Sequence, residues 1–438
     1  MKRTKKIISL VLSLIIALCA FSSCAKEEPK PQKKLGLSDS PLAAPEVTKT
    51  DEMREDFKIG FICLHADNST YDKNFIDAIN SVQSAFGLTS EQVIIKTNIP
   101  EGDDCYVTAK DLAEQGCDIV FANSFGHEEY MLRAAKEYPD VQFCQATGIM
   151  AHTEELPNFH NAFAHIYQAR YITGIVAGMK LNEMIASGEI TKKEAKLGYV
   201  GAFSTPEIIS GYSAFYLGAK SVCPTVTMQV EFVGSWFDTT QEKKLAEKLI
   251  KNGALIISQH TDSLGVPEAC EKAGIPNIGY NQCTYDQFPE TFLISSSINW
   301  APYLSYIIIQ ANLGEEIAFD WCGGISEGSI VLSGLNQDLV AEGTLAKIEE
   351  VLLSLETDTL HVFDTSKFTV EKKPIDSYLA DVDKDENNEP DTEAISKYGY
   401  FKESSKRSAP YFDILEIDGI TAAEPKYLVE KEETTETE

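Results

Sequence analysis

Short, almost continuously apolar runs alternate along this chain with longer stretches whose apolar residues recur every three or four positions. Polar, glycine-containing loops separate the two. The first kind reads as strands buried on both faces of a parallel sheet, the second as helices packed on them. Strands are expected at 58–64, 92–97, 118–122 and 141–145, with helices through Phe75 to Phe86, then 107–115 and 128–137. A helical pattern over 162–180 leads into a second set: strands at 196–201, 227–233, 255–258 and 277–280, helices at 210–221, 240–252 and 266–273. The stretch 292–296 and a helix over 300–313 are expected to return to the first set. A strand pair and a helix are expected within 324–353.

The second set restates the first. Lys58-Ile-Gly-Phe-Ile62 is answered by Lys196-Leu-Gly-Tyr-Val200, Gly116-Cys-Asp-Ile-Val-Phe121 by Gly253-Ala-Leu-Ile-Ile-Ser258, and Val141-Gln-Phe-Cys144 by Ile278-Gly-Tyr-Asn281. The separation stays near 137 residues through all three pairs, a spacing that chance apolar runs would not keep. Strict strand–helix alternation implies right-handed crossovers and open parallel sheets. The fold class expected is therefore α/β, two Rossmann-like lobes facing each other across a cleft. Lobe one is assigned 56–161 and 282–313, and lobe two 162–281 and 314–367.

The ends read differently. Lys2, Arg3, Lys5 and Lys6 precede an apolar run from Ile7 to Ala20, too short to cross a bilayer comfortably. Phe21-Ser-Ser-Cys24 then resembles a lipobox, so residues 1–24 are read as a lipoprotein signal with Cys24 as the lipidated residue. Residues 25–55, rich in Lys, Pro and Glu, read as a solvated tether. Residues 368–438 read as an acidic, low-complexity tail. Within it, Asp381 to Asn387 resembles a calcium loop but has Glu386 where a glycine is required and Thr392 where a glutamate is. No metal is expected.

A formal net charge of −29 argues against nucleic acid, which needs a basic face. None of the ten cysteines forms a CxxC pair, so the thiols read as small buried hydrophobes.

In open α/β sheets, ligands bind outside the carboxyl ends of the strands. That rule selects the loops at Asn68 to Tyr71, Asn123 to Gly126, Ala146 to Gly148, Phe203 to Glu207, Gly234 to Asp238, Gln259 to Asp262, and Asn281. They combine flat aromatics with neutral polar groups and a few carboxylates, and contain no lysine or arginine. Such a set suits a planar, uncharged, hydrogen-bonding ligand and suits phosphate poorly. No P-loop, GxGxxG or GxSxG is present. His260 and Asp262 could be drawn as a base and its orienter, but without a nucleophile between them a binding role fits better. No catalytic residue and no cofactor are assigned.

Asn123-Ser-Phe-Gly126 with Ala135-Lys-Glu-Tyr-Pro-Asp140-Val-Gln-Phe resembles the basic membrane protein family of substrate-binding lipoproteins of ABC importers. Gly201 to Glu207, Trp236-Phe-Asp238 and Gln259-His-Thr-Asp-Ser263 resemble its purine-binding subgroup. The resemblance spans roughly 58–363. It implies a type I periplasmic-binding fold and an adenine-like purine base or purine nucleoside as ligand. It also implies a partner permease with its ATPase. Two departures tilt the reading towards a base. Asn281 stands where nucleoside-binding relatives place an aspartate for the ribose, and no lysine stands near Asn299. Tyr71 is taken over Phe75 as the first-loop ring.

In this reading Tyr71, Phe125, Trp236 and Phe237 surround the ring. Ser124, Thr147, Glu207, His260, Asp262 and Asn281 address its edge. The expected protein is a monomeric, non-enzymatic receptor held to the extracytoplasmic face of a cell membrane by its lipid anchor. A nucleoside-acting enzyme and a ligand-sensing or adhesion lipoprotein on the same fold are the alternatives.

Overall fold

The computed structural model describes residues 37–38, 53–383 and 389–427. The signal segment, Cys24, most of the expected tether and residues 384–387 of the calcium-like stretch lie outside them.

Lobe one is built from β2 (Ile59–Ile62), α1 (Thr70–Phe86), β3 (Val93–Lys96), α2 (Asp103–Glu114), β4 (Ile119–Ala122), α3 (Glu128–Glu137), β5 (Gln142–Ala146), the short α4 (Ala151–Glu154) and β6 (Phe159–Ala164). Each helix starts and stops for local reasons. Ser69 caps α1 by accepting from the Asp72 amide, and Gly87 ends it in the left-handed conformation. Asp103 and Asp104 form the acidic first turn of α2, favourable to the helix dipole.

Lobe two repeats the plan with α5 (Ile166–Ser187), β7 (Lys196–Gly201), α6 (Pro206–Val222), β8 (Thr227–Phe232), α7 (Thr239–Lys251), β9 (Ile256–His260), α8 (Gly265–Ala273) and β10 (Asn277–Tyr280). Helices α5 and α6 cross at near backbone contact. A Cβ on Gly174 would lie 1.9 Å from the Phe215 carbonyl oxygen, and one on Gly218 1.9 Å from that of Tyr171. Only glycine permits that approach.

The chain then runs through β11 (Phe292–Ile298), α9 (Ala301–Leu313), β12 (Asp320–Gly323), β13 (Ile330–Ser333) and α10 (Thr344–Glu356). It ends in a long irregular segment carrying β14 (Leu379–Ala380), β15 (Thr392–Glu393) and β16 (Ile420–Ala422). The lobe-one sheet has the order β12-β6-β5-β4-β2-β3, all parallel. The lobe-two sheet, which includes β1 (Leu37–Ser38), runs β1-β13-β11-β10-β9-β7-β8-β16 and is parallel except for the β11–β13 pair. Among the described residues the first core lies where Phe61, Phe75, Phe121, Trp300 and Tyr303 meet, with Phe75 and Trp300 stacked 4.4 Å apart.

Five expectations change. Strand 292–296 does not return to lobe one: β11 pairs in parallel with β10, and only helix α9 crosses to pack on α1. The strand pair expected within 324–353 is not a pair: only β13 lies there, antiparallel to β11 in the lobe-two sheet. Strand β12, just before that stretch, joins the lobe-one sheet and β11 the lobe-two sheet, so each sheet takes one strand from the other lobe's assigned stretch. The pattern that opens at 162 also hides a strand, β6, before its helix.

The third repeat pair is shifted. With Val120 paired to Phe143 and Ile257 to Asn277, Phe143 is the counterpart of Asn277, not of Tyr280. Finally, the chain beyond Phe368 is not a solvated tail. Phe368, Phe401, Tyr411, Phe412, Ile414, Ile417 and Ile420 are buried, and β16 extends the lobe-two sheet beside β8. Burying these side chains outweighs the acidic composition around them.

Of the thiols, Cys63, Cys105, Cys117, Cys144, Cys223 and Cys270 are buried and in no disulfide, as small hydrophobes are. No helix among the described residues is long and apolar enough to cross a membrane.

Candidate functional site

A cavity of about 350 Å³, counting its mouth, opens between the lobes at the carboxyl ends of both sheets. It is lined by Leu64, Tyr71, Ser124, Phe125 and Thr147 from lobe one and by Glu207, Trp236, His260, Asp262 and Tyr280 from lobe two.

On the lobe-one side the wall is fixed by Asn123, the residue after β4. Its side-chain oxygen accepts from the Leu64 amide (3.1 Å), and its amide nitrogen donates to Asp72 (2.8 Å). Its carbonyl accepts from the Tyr71 hydroxyl (2.7 Å). Asp72 also takes hydrogen bonds from the His65 amide and ring. Burial pushes the Asp72 carboxyl up, but these donors together hold it below the usual aspartate range. Ser124 donates to Glu101 (2.6 Å), which also receives the Gly126 amide. Tyr71 sits edge-on against Phe75 with ring centroids 5.0 Å apart.

Lobe two supplies the acidic side. His260, the last residue of β9, meets Glu207 of the first turn of α6 at 3.1 Å through Nε2. Its Nδ1 is buried without a partner among the described residues, and a Cβ on Gly211 would lie 3.2 Å from it. Glycine at 211 therefore lets α6 lie against the imidazole. Burial lowers the His260 pKa, Glu207 pulls it back up, and the Arg170 guanidinium lowers it further.

Asp262 is pushed well above the carboxylate range by burial and by the neighbouring Asp72, Glu242 and Glu207. The shift favours the protonated acid, a form that can donate as well as accept. Arg170, fully buried on α5, sits 4.0 Å over the Tyr280 ring and donates to the Gln259 carbonyl (2.9 Å). It is a cation placed behind the aromatic wall rather than in it. Trp236 is braced edge-on by Phe203 with centroids 5.0 Å apart, and its indole N–H has no partner among the described residues. The Tyr280 hydroxyl is likewise unpartnered. The lobes touch at the rim, where the Thr70 amide donates to the Asp262 carbonyl (2.9 Å).

Of the ten ligand residues expected from sequence, the structure gathers Tyr71, Ser124, Phe125, Thr147, Glu207, Trp236, His260 and Asp262 around this cavity. Phe237 does not line it. Its ring meets His65 of lobe one, centroids 5.5 Å apart, as a contact between lobes. Asn281 does not line it either: both atoms of its amide are buried without a partner. Sequence reasoning missed Leu64 and Tyr280. Both stand at the ends of strands, where the strand-end rule applies, but their apolar bodies were counted as sheet. The base-and-orienter arrangement of His260 with Asp262, set aside in the sequence, does not form: the imidazole bonds Glu207.

Four rings, two unspent donors and two carboxyl groups can enclose a flat molecule and read both donors and acceptors along its edge. No cluster of three or more metal-ligating side chains occurs among the described residues.

Residues 62–356 match the family of ABC transporter substrate-binding proteins described as PnrA-like. A purine-binding protein of Brucella abortus is 32% identical over 252 residues, covering 57% of this chain and 67% of that protein. A protein of Haloferax volcanii whose name assigns it glucose is 32% identical over 248 residues, 56% of this chain and 60% of its own length. The alignment thus spans only about two thirds or less of these relatives. The solved structure of an ABC transporter solute-binding protein from Conexibacter woesei superposes with a TM-score of 0.56 at 20% identity. It covers 70% of this chain and 98% of that one, which shows the type of fold. All ten cavity residues fall inside the matched span, and the chain belongs to the PnrA-like family of ABC transporter substrate-binding proteins.

Proposed function

We propose that this chain is the receptor of an importer for a purine, a nucleobase of the adenine type before a nucleoside. It closes over the base between its lobes and delivers it to a permease driven by an ATPase. The observation that carries the reading is the pairing of aromatic walls with unspent edge donors. Trp236 N–H and Tyr280 O–H are unpartnered, and the carboxyl groups of Asp262 and Glu207 stand beside them in the lining. Leaving such groups unpaired costs about 1–3 kcal/mol each, which a ligand with matching ring nitrogens and amine would recover. The purine named for the Brucella relative points the same way.

The reading is of a receptor and not a catalyst. His260 is bonded to Glu207, and no Ser, Thr or Cys bonds to it among the described residues. We also propose that Cys24 carries a lipid anchor, placing the lobes outside the cytoplasmic membrane as a monomer, as the segment before it implies.

The test is a thermal-shift screen of residues 25–438, stripped of ligand by unfolding and refolding, against adenine, guanine, hypoxanthine, adenosine and glucose. Ligand at 100 times its dissociation constant adds about 2.7 kcal/mol. A shift with adenine exceeding that with adenosine supports the reading. A shift with glucose alone transfers the site to sugars. Incorporation of a radiolabelled fatty acid, lost in Cys24→Ala, tests the anchor.

A further inference from the structure

Residues 357–427 lie beyond the span that matches the family, yet they are packed against both lobes. After α10 the chain lays Phe363 against Tyr167 of α5 and stacks it on Phe412, centroids 5.3 and 4.5 Å away. It then touches lobe one. The amide and hydroxyl of Ser408 both donate to Asp320 of β12, at 2.8 and 2.7 Å. It returns to lobe two along α6, where Tyr212 donates to the Leu415 carbonyl, Tyr216 to the Asp418 carbonyl, and Ser210 to the buried carboxyl of Glu403. Strand β16 pairs with β8, and beyond it the Lys426 carbonyl accepts from both the amide and the hydroxyl of Ser204, at 2.8 and 2.9 Å.

Two of these anchors flank Glu207. Ser204 stands just before α6, and Ser210 lies one turn after the glutamate that enters the cavity. The support is needed there, because α6 begins without a side-chain cap: Thr205 occupies the cap position and makes no capping hydrogen bond. An uncapped first turn frays readily, and the residue it presents frays with it. Asp320 stands just before the passage from β12 to β13, one of the three places where the chain crosses between lobes.

We propose that this segment is part of the solute-binding apparatus, with Glu403 a positioning residue that fixes, through Ser210, the helix turn presenting Glu207 to the cavity. Through Ser408 and Asp320 the same segment ties that turn to lobe one, so that ordering the cavity wall and closing the lobes are linked. The proposal rests on reading the cavity as the solute site.

The test uses residues 25–438 with Glu403→Ala, Glu403→Gln and Ser408→Ala. Hydrogen exchange over 203–211 is followed without ligand, and adenine affinity is titrated. Removing the acceptor should speed exchange at 203–211 and weaken adenine, each by about tenfold, while the strands of lobe one keep their protection. Glutamine, which still accepts from Ser210, should restore both. Ser408→Ala, which folds more easily because its backbone bond to Asp320 remains, should speed adenine release. Loss of melting temperature in Glu403→Ala with exchange at 203–211 and affinity unchanged would overturn the proposal. So would a failure of glutamine to rescue. Should the wild type bind no purine, the solute reading fails separately. Exchange at 203–211 still decides whether Glu403 positions the turn.

Discussion

Thr147 and Asn281 occupy the same place in the two lobes. Each follows the fourth strand of its repeat, each has a left-handed backbone (φ 64° and 61°), and each amide donates to the next strand. The acceptors are the carbonyls of Ala162 and Ser296, at 2.9 and 2.8 Å. The repeat therefore extends to backbone conformation, but the two side chains part ways. Thr147 lines the cavity and Asn281 does not.

Glycine substitutions separate these roles. A β-branched residue at positive φ is strained by about 1–2 kcal/mol, more than the roughly 0.5–1 kcal/mol that glycine costs through unfolded-chain freedom. Thr147→Gly should hold or slightly raise the urea midpoint while weakening purine binding. Asn281→Gly should leave binding within about threefold, since its effect is confined to the backbone and a buried, unpaired amide. Tenfold weaker binding in Asn281→Gly would restore that side chain to the site.

Trp236 should carry the ring. Stacking a base on an aromatic contributes about 1–3 kcal/mol by alanine substitution, so Trp236→Ala should weaken adenine roughly 10- to 100-fold. Trp236→Phe keeps the face and loses the N–H, and should weaken binding less. Equal losses in calorimetric titration would mean that the indole hydrogen bond, not the face, holds the ligand.

Glu403 should leave a mark on stability against pH. Its carboxyl faces Glu207, Tyr167, Cys322 and Tyr411. No lysine or arginine pairs with it among the described residues. Burial pushes it up to about 7, against the hydroxyl donors Ser210 and Ser404, which lower it. The folded state thus holds this proton more tightly than the unfolded chain. The associated stability is fully present below pH ~4 and is lost as pH rises through about 7, at most about 3 kcal/mol. Urea midpoints at pH 5 and 8 should differ less in Glu403→Gln than in the wild type. An unchanged difference would remove Glu403 as its source.

The lobes were legible because parallel strands buried on both faces leave apolar runs, and glycines and caps mark where helices end. The cavity was legible because strand ends are fixed once strands are placed, which is how Tyr71, Ser124 and His260 came together. What sequence hid is partnership. Nothing in Phe292–Ile298 says that it pairs with β10, or in Asp320–Gly323 that it closes the other sheet. The last segment was misread because Phe401, Tyr411, Phe412 and Ile417 are buried from irregular backbone, with neither helical nor strand spacing to reveal them. Asn281 was misplaced because the strand-end rule places a residue and not its side chain: with the same left-handed backbone, Thr147 lines the cavity and Asn281 does not.

The most direct measurement is a calorimetric titration of the stripped, refolded receptor with adenine, followed by adenosine and glucose. The account predicts one saturable site for adenine per chain, tighter than for adenosine and with no heat from glucose. Absence of any purine heat, or saturation by glucose, would contradict it.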